Sequence, residues 1–252
     1  MGPLEGKQTI VVGATRGLGR GVAEAFLAAG ANVVAVARNV EPLAELAAKD
    51  QRLHPLAADA TDPIVAGNAL AQWRPDVLAL VAGAAPLLRP IHLHTWETLS
   101  LNWNIDVRIA FNWLREALLL PLSAKSRVIV MSSGAAVFGS PLSGGYAGAK
   151  ATERFLADYA AQESRRMGLG IGITAVLPRL TPATELGRPA VLAYAAREGV
   201  DEKEYVASMG ALVTPEIAGQ AFLDLATQPQ GEAGAYLLTG EGLRQMPGPD
   251  QR

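Results

Sequence analysis

Cysteine is absent from the 252 residues and only three histidines occur. The first absence excludes disulfides and thiolate metal sites and fits a reducing compartment. The second leaves little material for a histidine-rich metal centre or a Ser-His-Asp mechanism, so no metal is expected. Charge of neither sign dominates: 22 basic residues face 24 acidic ones, for a net charge of −2, and the basic residues are scattered. That balance argues against nucleic acid or a membrane surface as partner. No apolar run approaches the roughly 20 residues of a membrane span, and the opening MGPLEGKQTI lacks the basic-then-apolar layout of a signal peptide. The expectation is a cytoplasmic protein. Aromatic residues are few, 6 %, whereas hydrophobic residues make up 50 %. So apolar a chain with so little net charge collapses around a core, and its length suits a single domain spanning 1–252.

The apolar residues come in short runs separated by longer amphipathic stretches. Ile10-Val11-Val12, the run 32–37 (NVVAVA), 53–57, 77–81, 127–131 (RVIVM), 170–177 and 235–238 read as strands. Between them, 17–29, 41–49, 95–120, 145–167 and a stretch to about 226 opened by Thr214-Pro215 read as helices. Thr61-Asp62-Pro63 marks a further helix start, a capping side chain before a first-turn proline. Strands apolar on both faces and joined by helices predict a doubly wound parallel α/β sheet of the Rossmann type, with about seven strands and helices on both faces. Ligands of such sheets bind beyond the carboxyl ends of the strands, at the switch point. The segment 181–212 breaks the alternation and reads as a lid over that site, and 243–252 as a polar tail.

Two groups of residues carry chemistry. Gly13, Gly17 and Gly19 lie between the first strand and the first helix, where glycines permit a tight turn and close approach of a pyrophosphate to the helix amino terminus. The absence of a following Gly-Lys-Ser/Thr excludes a P-loop. The second group is Ser133, at the end of the fifth strand, with Tyr146 and Lys150 four residues apart and so on one helix face. For this composition, chance supplies a Tyr-x-x-x-Lys with probability about 0.1, and the upstream serine lowers it to roughly 0.004. Cofactor choice follows from charge. The second strand ends Ala35-Val36-Ala37-Arg38, with no carboxylate to grip a ribose 2′-hydroxyl. Arg38, and Arg16 in the glycine loop, instead offer guanidinium groups to a 2′-phosphate, which predicts NADP(H).

Taken together, the Gly13–Gly17–Gly19 spacing with Ser133, Tyr146 and Lys150 resembles the short-chain dehydrogenase/reductase family, from Lys7 to about Gly242. The resemblance implies hydride transfer between a nicotinamide cofactor and a carbonyl or secondary alcohol. Tyr146 would be the acid/base, Lys150 with the positive charge of the oxidised nicotinamide would lower its pKa, Lys150 would also hold the ribose hydroxyls, and Ser133 would bind the substrate oxygen. It also implies cofactor contacts from Thr15, Leu18, Asp59 (to the adenine), Ala60, Ala82, Gly83, Pro178 and Thr181. Assembly as a homodimer or homotetramer would use the helices 99–120 and 145–167. Trp96, Trp103 and Trp113 read as core or interface residues. The substrate pocket should be mostly apolar, drawn from the segments around 137–142 and 181–209.

Four departures from the family pattern accompany the match. Leu80-Val81-Ala82-Gly83 stands where Asn-Asn-Ala-Gly is usual. The helix asparagine of the family's proton relay falls on Asn104 by residue type and on Asp106 by spacing from Phe111. Pro178-Arg179 replaces Pro-Gly, and the last strand runs Tyr236 to Gly242 without the usual Asp-Gly-Gly. The rival functional class is a catalytically idle NADP(H)-sensing protein of the same fold. A methyltransferase would leave Ser133, Tyr146 and Lys150 unexplained.

Overall fold

A computed structural model describes residues 2–229 and 234–247. Alternating βα units build the sheet: β1 (Gln8–Val12), α1 (Gly17–Ala28), β2 (Asn32–Ala37), α2 (Val40–Ala47), β3 (Leu53–Ala57), α3 (Pro63–Trp73) and β4 (Val77–Leu80). After β4 come a short helix α4 (Trp96–Leu99) and α5 (Arg108–Leu119). Then follow β5 (Arg127–Met131), α6 (Ala135–Phe138), α7 (Tyr146–Arg166) and β6 (Gly172–Pro178). Two helices, α8 (Gly187–Glu198) and α9 (Glu202–Ser208), fill the segment expected as a lid. The described chain closes with α10 (Pro215–Thr227), β7 (Ala235–Thr239) and β8 (Gly242–Gln245).

The strand order is β3-β2-β1-β4-β5-β6-β7-β8, parallel from β3 to β7. The chain moves outward from β1 to β3 and then crosses to β4 on the other side of β1, so the switch point lies between β1 and β4. Alternate residues of each strand enter opposite cores. Val11, Val33, Ala35, Ala79 and Ile129 pack with α1 and α10 on one face. Ile10, Val34, Leu78, Val128 and Ile173 pack with α3, α5 and α7 on the other. Burial on both faces explains the uninterrupted aliphatic runs. On the first face α1 and α10 cross at glycines: a Cβ on Gly21 would lie 2.0 Å from the Pro215 carbonyl oxygen.

Two elements differ from the sequence reading. Among the described residues the sheet has eight strands instead of about seven, because 243–245, assigned to a polar tail, join Gly242 in β8, antiparallel to β7, with Leu243 opposite Leu238. An edge strand needs only one residue turned to the core, and Leu243 supplies it; the end of that expected tail, 248–252, lies outside the described residues. The expected continuous helix 95–120 is instead broken after α4 and opens into a π-helical turn, Trp103–Val107, before α5. Such turns re-aim side chains within a helix, and here the buried Asp106 is the one turned inward. Of the three tryptophans, Trp113 is fully buried, whereas Trp96 and Trp103 are largely exposed. No helix among the described residues is long and apolar enough to cross a membrane.

Candidate active site

At the carboxyl ends of the strands a cleft of about 1600 Å³ runs from the glycine turn past β4 and β5 to α8. Its floor requires glycine. Gly13 has φ +93°, and a Cβ there would sit 2.7 Å from the backbone of Ala82; a Cβ on Gly19 would sit 2.0 Å from the Gly13 carbonyl oxygen. Gly17, also at positive φ, opens α1. The turn therefore brings bare backbone and a helix amino terminus to the cleft, which suits a pyrophosphate. Thr15, Leu18, Ala60, Ala82 and Gly83 all border the same cleft. Ala60 also fixes the wall, its carbonyl accepting from the buried Trp113 Nε1 at 3.0 Å.

Charge gathers at the outer end. Arg38 lies exposed beyond the tip of β2, and Asp59 beyond β3 accepts from the Thr61 amide and hydroxyl, both at 2.9 Å. These two bonds, with the positive charges of Arg38 and Arg108, hold the Asp59 carboxyl below its ordinary range. Arg16 does not stand alone as the sequence suggested: it forms an ion pair with Glu185 at 2.8 Å, joining the glycine turn to the segment before α8. Thr181, expected at the cofactor, is buried, and its hydroxyl donates to the Val213 carbonyl at 2.6 Å. Its side chain therefore anchors the start of the 181–212 segment where that segment borders the cleft.

Ser133, Tyr146 and Lys150 meet on the inner side of the cleft, beside the switch point. Ser133 follows β5, its hydroxyl accepts from the Ala135 amide at 3.2 Å, and it borders the cleft together with Tyr146. Tyr146 is the first residue of α7. That helix can start so close to the preceding segment because residue 145 is glycine: a Cβ there would lie 1.9 Å from the Leu99 carbonyl oxygen. One turn on, the Lys150 ammonium sits 5.6 Å from the centre of the Tyr146 ring.

Lys150 is almost wholly buried and enclosed by oxygen. Its Nζ lies 2.8 Å from Glu153 Oε2 and 3.5 Å from Asp106 Oδ2, and donates to the Met131 carbonyl at 3.4 Å. Asp106, not Asn104, faces it: Asn104 is exposed, with its amide directed to Ser100 Oγ. The Asp106 carboxylate also accepts from the Ala84 amide at 2.7 Å and from Asn102 Nδ2 at 3.3 Å, tying the π-helical turn to the chain after β4. Glu153 is not part of the motif. The available signal is its i,i+3 spacing from Lys150, which normally marks a solvated surface pair.

The electrostatics follow from burial and this company. Burial opposes the Lys150 ammonium, but the Glu153 and Asp106 carboxylates outweigh it and hold its pKa above the ordinary value. Burial pushes the Glu153 carboxyl up to about 7, against the attraction of Lys150. Desolvation also raises the Tyr146 phenol. Lys150, as the sequence suggested, and also Ser133 pull it down, while Asp106 and Glu153 push it further up. The net direction is upward, because the site is desolvated and holds two carboxylates that the motif does not contain; the expected lowering counts the positive charge of an oxidised nicotinamide as well as Lys150.

Toward α8 the cleft mixes apolar residues with polar ones. Leu186 and Ala190 line it beside Tyr194, Arg197, Glu198 and Tyr205, and Tyr194 hydrogen-bonds Ser140 across the opening. Pro178 ends β6 with its carbonyl accepting from the Gly134 amide at 2.8 Å, and the exposed Arg179 borders the cleft directly after it.

Comparison with known proteins agrees with this geometry. The family model described as short chain dehydrogenase matches residues 7–193. A short chain dehydrogenase of Pseudocercospora fijiensis is 33 % identical over 202 residues, 75 % of this chain and 63 % of that protein. The L-xylulose reductase of Mus musculus is 34 % identical over 105 residues, 42 % of this chain and 43 % of the reductase. A 12alpha-hydroxysteroid dehydrogenase of a Clostridium species is 28 % identical over 193 residues, 70 % of this chain and 74 % of that enzyme. The match thus spans less than two thirds of the length of the first two relatives. In fold, the chain superposes on a crystal structure of a short chain dehydrogenase from Mycobacterium avium with a TM-score of 0.79 at 23 % identity, over 98 % of this chain and 87 % of that one. The chain belongs to the short-chain dehydrogenase family, a family of oxidoreductases.

Proposed function

We propose that the protein is an NADP(H)-dependent oxidoreductase that interconverts a carbonyl compound and the corresponding secondary alcohol. The observation that carries the reading is the meeting of Ser133, Tyr146 and Lys150 in the same cleft as the glycine turn. The steric requirement for glycine at 13 and 19 fits a dinucleotide pyrophosphate at that turn. When bound, the nicotinamide supplies or accepts the hydride. In the reducing direction Ser133 holds the substrate carbonyl oxygen, and the Tyr146 phenol gives that oxygen its proton as negative charge builds there. The proton is replaced from solvent through the open cleft, and in the oxidising direction the phenolate takes it back. Lys150 contributes a fixed positive charge beside the ring. The mouse and clostridial relatives, named for reduction of a xylulose and dehydrogenation of a hydroxysteroid, support a carbonyl or alcohol substrate.

Preference for NADP(H) rests on Arg38 and Arg16 at the outer end of the cleft, with no carboxylate at the tip of β2. The Arg16–Glu185 pair is largely exposed, and pairs of that kind contribute little in water, so a 2′-phosphate can displace Glu185. Fluorescence titration of the purified protein with NADPH and NADH tests the reading. NADPH should bind more tightly; preference for NADH would remove the arginine argument, and binding of neither would remove the hydride-transfer claim. The same reading places the protein in the cytoplasm and pairs copies of it through the outer faces of α5 and α7. Phe111, Phe155 and Tyr159 are 50 %, 61 % and 54 % exposed there, an apolar surface that suits a homodimer or homotetramer. A light-scattering mass of one chain would refute the pairing.

A further inference from the structure

Glu153 is a buried carboxylate that the reaction described above does not use. It is 3 % exposed, one turn along α7 from Lys150 on the helix's inward side. The groups facing it are Lys150 and Tyr146 from its own helix and Asp106 from the π-helical turn packed against α7. β5 and the residue after it add only neutral oxygens to the cluster. The Met131 carbonyl accepts from Lys150 Nζ, and the Ser132 hydroxyl donates to the Lys150 carbonyl at 2.6 Å. One ammonium thus lies between two carboxylates in a site closed to water. With all three ionised the cluster would be net negative, which is costly so far from solvent. Glu153 is the nearer of the two carboxylates, its Oε2 lying 2.8 Å from Lys150 Nζ against 3.5 Å for Asp106 Oδ2.

We propose that Glu153 is a positioning residue: it anchors the Lys150 ammonium and, with Asp106, offsets the positive field that Lys150 exerts on Tyr146. This rests on reading Tyr146 as the proton donor, and it adds a group that sets the pH at which that donor ionises. The same balance makes Glu153 responsive near neutrality, because its carboxyl is raised to about 7 by burial. Below that point Glu153 is neutral, Lys150 is less offset and the phenol becomes more acidic. Above it, the phenol is held more firmly protonated.

The test needs neither cofactor nor substrate. Tyrosinate absorbance is followed against pH in the full-length protein and in Tyr146→Phe, the difference isolating Tyr146. The same pair of titrations is repeated in the Glu153→Gln and Glu153→Met backgrounds. Both variants remove the negative charge while differing in polarity, so both should lower the Tyr146 midpoint, by on the order of one pH unit. An unchanged or higher midpoint overturns the proposal. Should both variants fail to fold, the wild type labelled with ¹³Cζ-tyrosine decides. The Tyr146 resonance, assigned with Tyr146→Phe, should step as Glu153 titrates near neutral pH, and a flat resonance overturns the proposal. Failure of the enzymatic reading would show instead as absence of NADPH binding, whatever the phenol midpoint.

Discussion

The most direct consequence of a buried Glu153 is a pH dependence of folding stability, and its sign can be worked out. An unfolded chain ionises this side chain near its ordinary value of 4.5, whereas the folded protein holds it protonated up to about 7. Between those values the native state binds one more proton than the unfolded state, so stability falls as pH rises through that window. The contribution is complete below 4.5 and lost once pH passes about 7. At ~1.4 kcal/mol per unit of displacement, the window corresponds to about 3 kcal/mol. Glu153 is almost fully buried, so solvent screening takes little from this. Urea unfolding of the wild type and Glu153→Gln at pH 5, 6, 7 and 8, at fixed salt, isolates the effect, because all other titrating groups are common to both. The wild type should lose about 3 kcal/mol relative to Glu153→Gln between pH 5 and 8, read as a falling urea midpoint at constant slope. Midpoints that run parallel with pH would refute the reasoning, since they would mean that the carboxyl ionises normally in the fold.

Three further outcomes are expected. Replacing Tyr146 by Phe removes the proposed proton donor and should lower turnover about 10²–10⁴-fold, while NADPH affinity measured by fluorescence stays near that of the wild type. Glu185→Gln frees Arg16 from its ion pair and should tighten NADPH binding about two- to fivefold, leaving NADH unchanged in the same titration. Trp113→Phe leaves the buried Ala60 carbonyl without its indole donor and opens space against α3. It should cost about 2–3 kcal/mol in urea unfolding.

The parts readable from the chain are those in which a local pattern suffices. The parallel sheet is written in aliphatic runs such as Ile10-Val11-Val12 and 32–37, because strands buried on both faces cannot carry polar residues. The caps follow for the same reason: Asp62 accepts from the Ile64 amide at 2.8 Å and opens α3 where Thr61-Asp62-Pro63 predicts. Tyr146 and Lys150 share a helix face by spacing alone. β8 escapes notice because an edge strand four residues long with only Leu243 turned to the core carries no periodic signal.

What only the tertiary structure decided depends on packing between distant segments. Spacing places Glu153 one turn from Lys150, yet whether that face meets water or another helix is settled by α7 lying against the turn before α5. Burial turns an ordinary i,i+3 pair into a cluster that shifts three groups. Of Asn104 and Asp106, it is Asp106, buried in a π-helical turn, that lies against Lys150. Arg16 and Glu185 are 169 residues apart and meet only because the segment before α8 folds back over the glycine turn. By itself the sequence determined the sheet, the glycine turn and the Ser133, Tyr146 and Lys150 set, because backbone conformation and hydrophobic period act over a few residues. The charge environment of that set was decided by the fold, because electrostatic interactions act through space and strengthen where water is excluded.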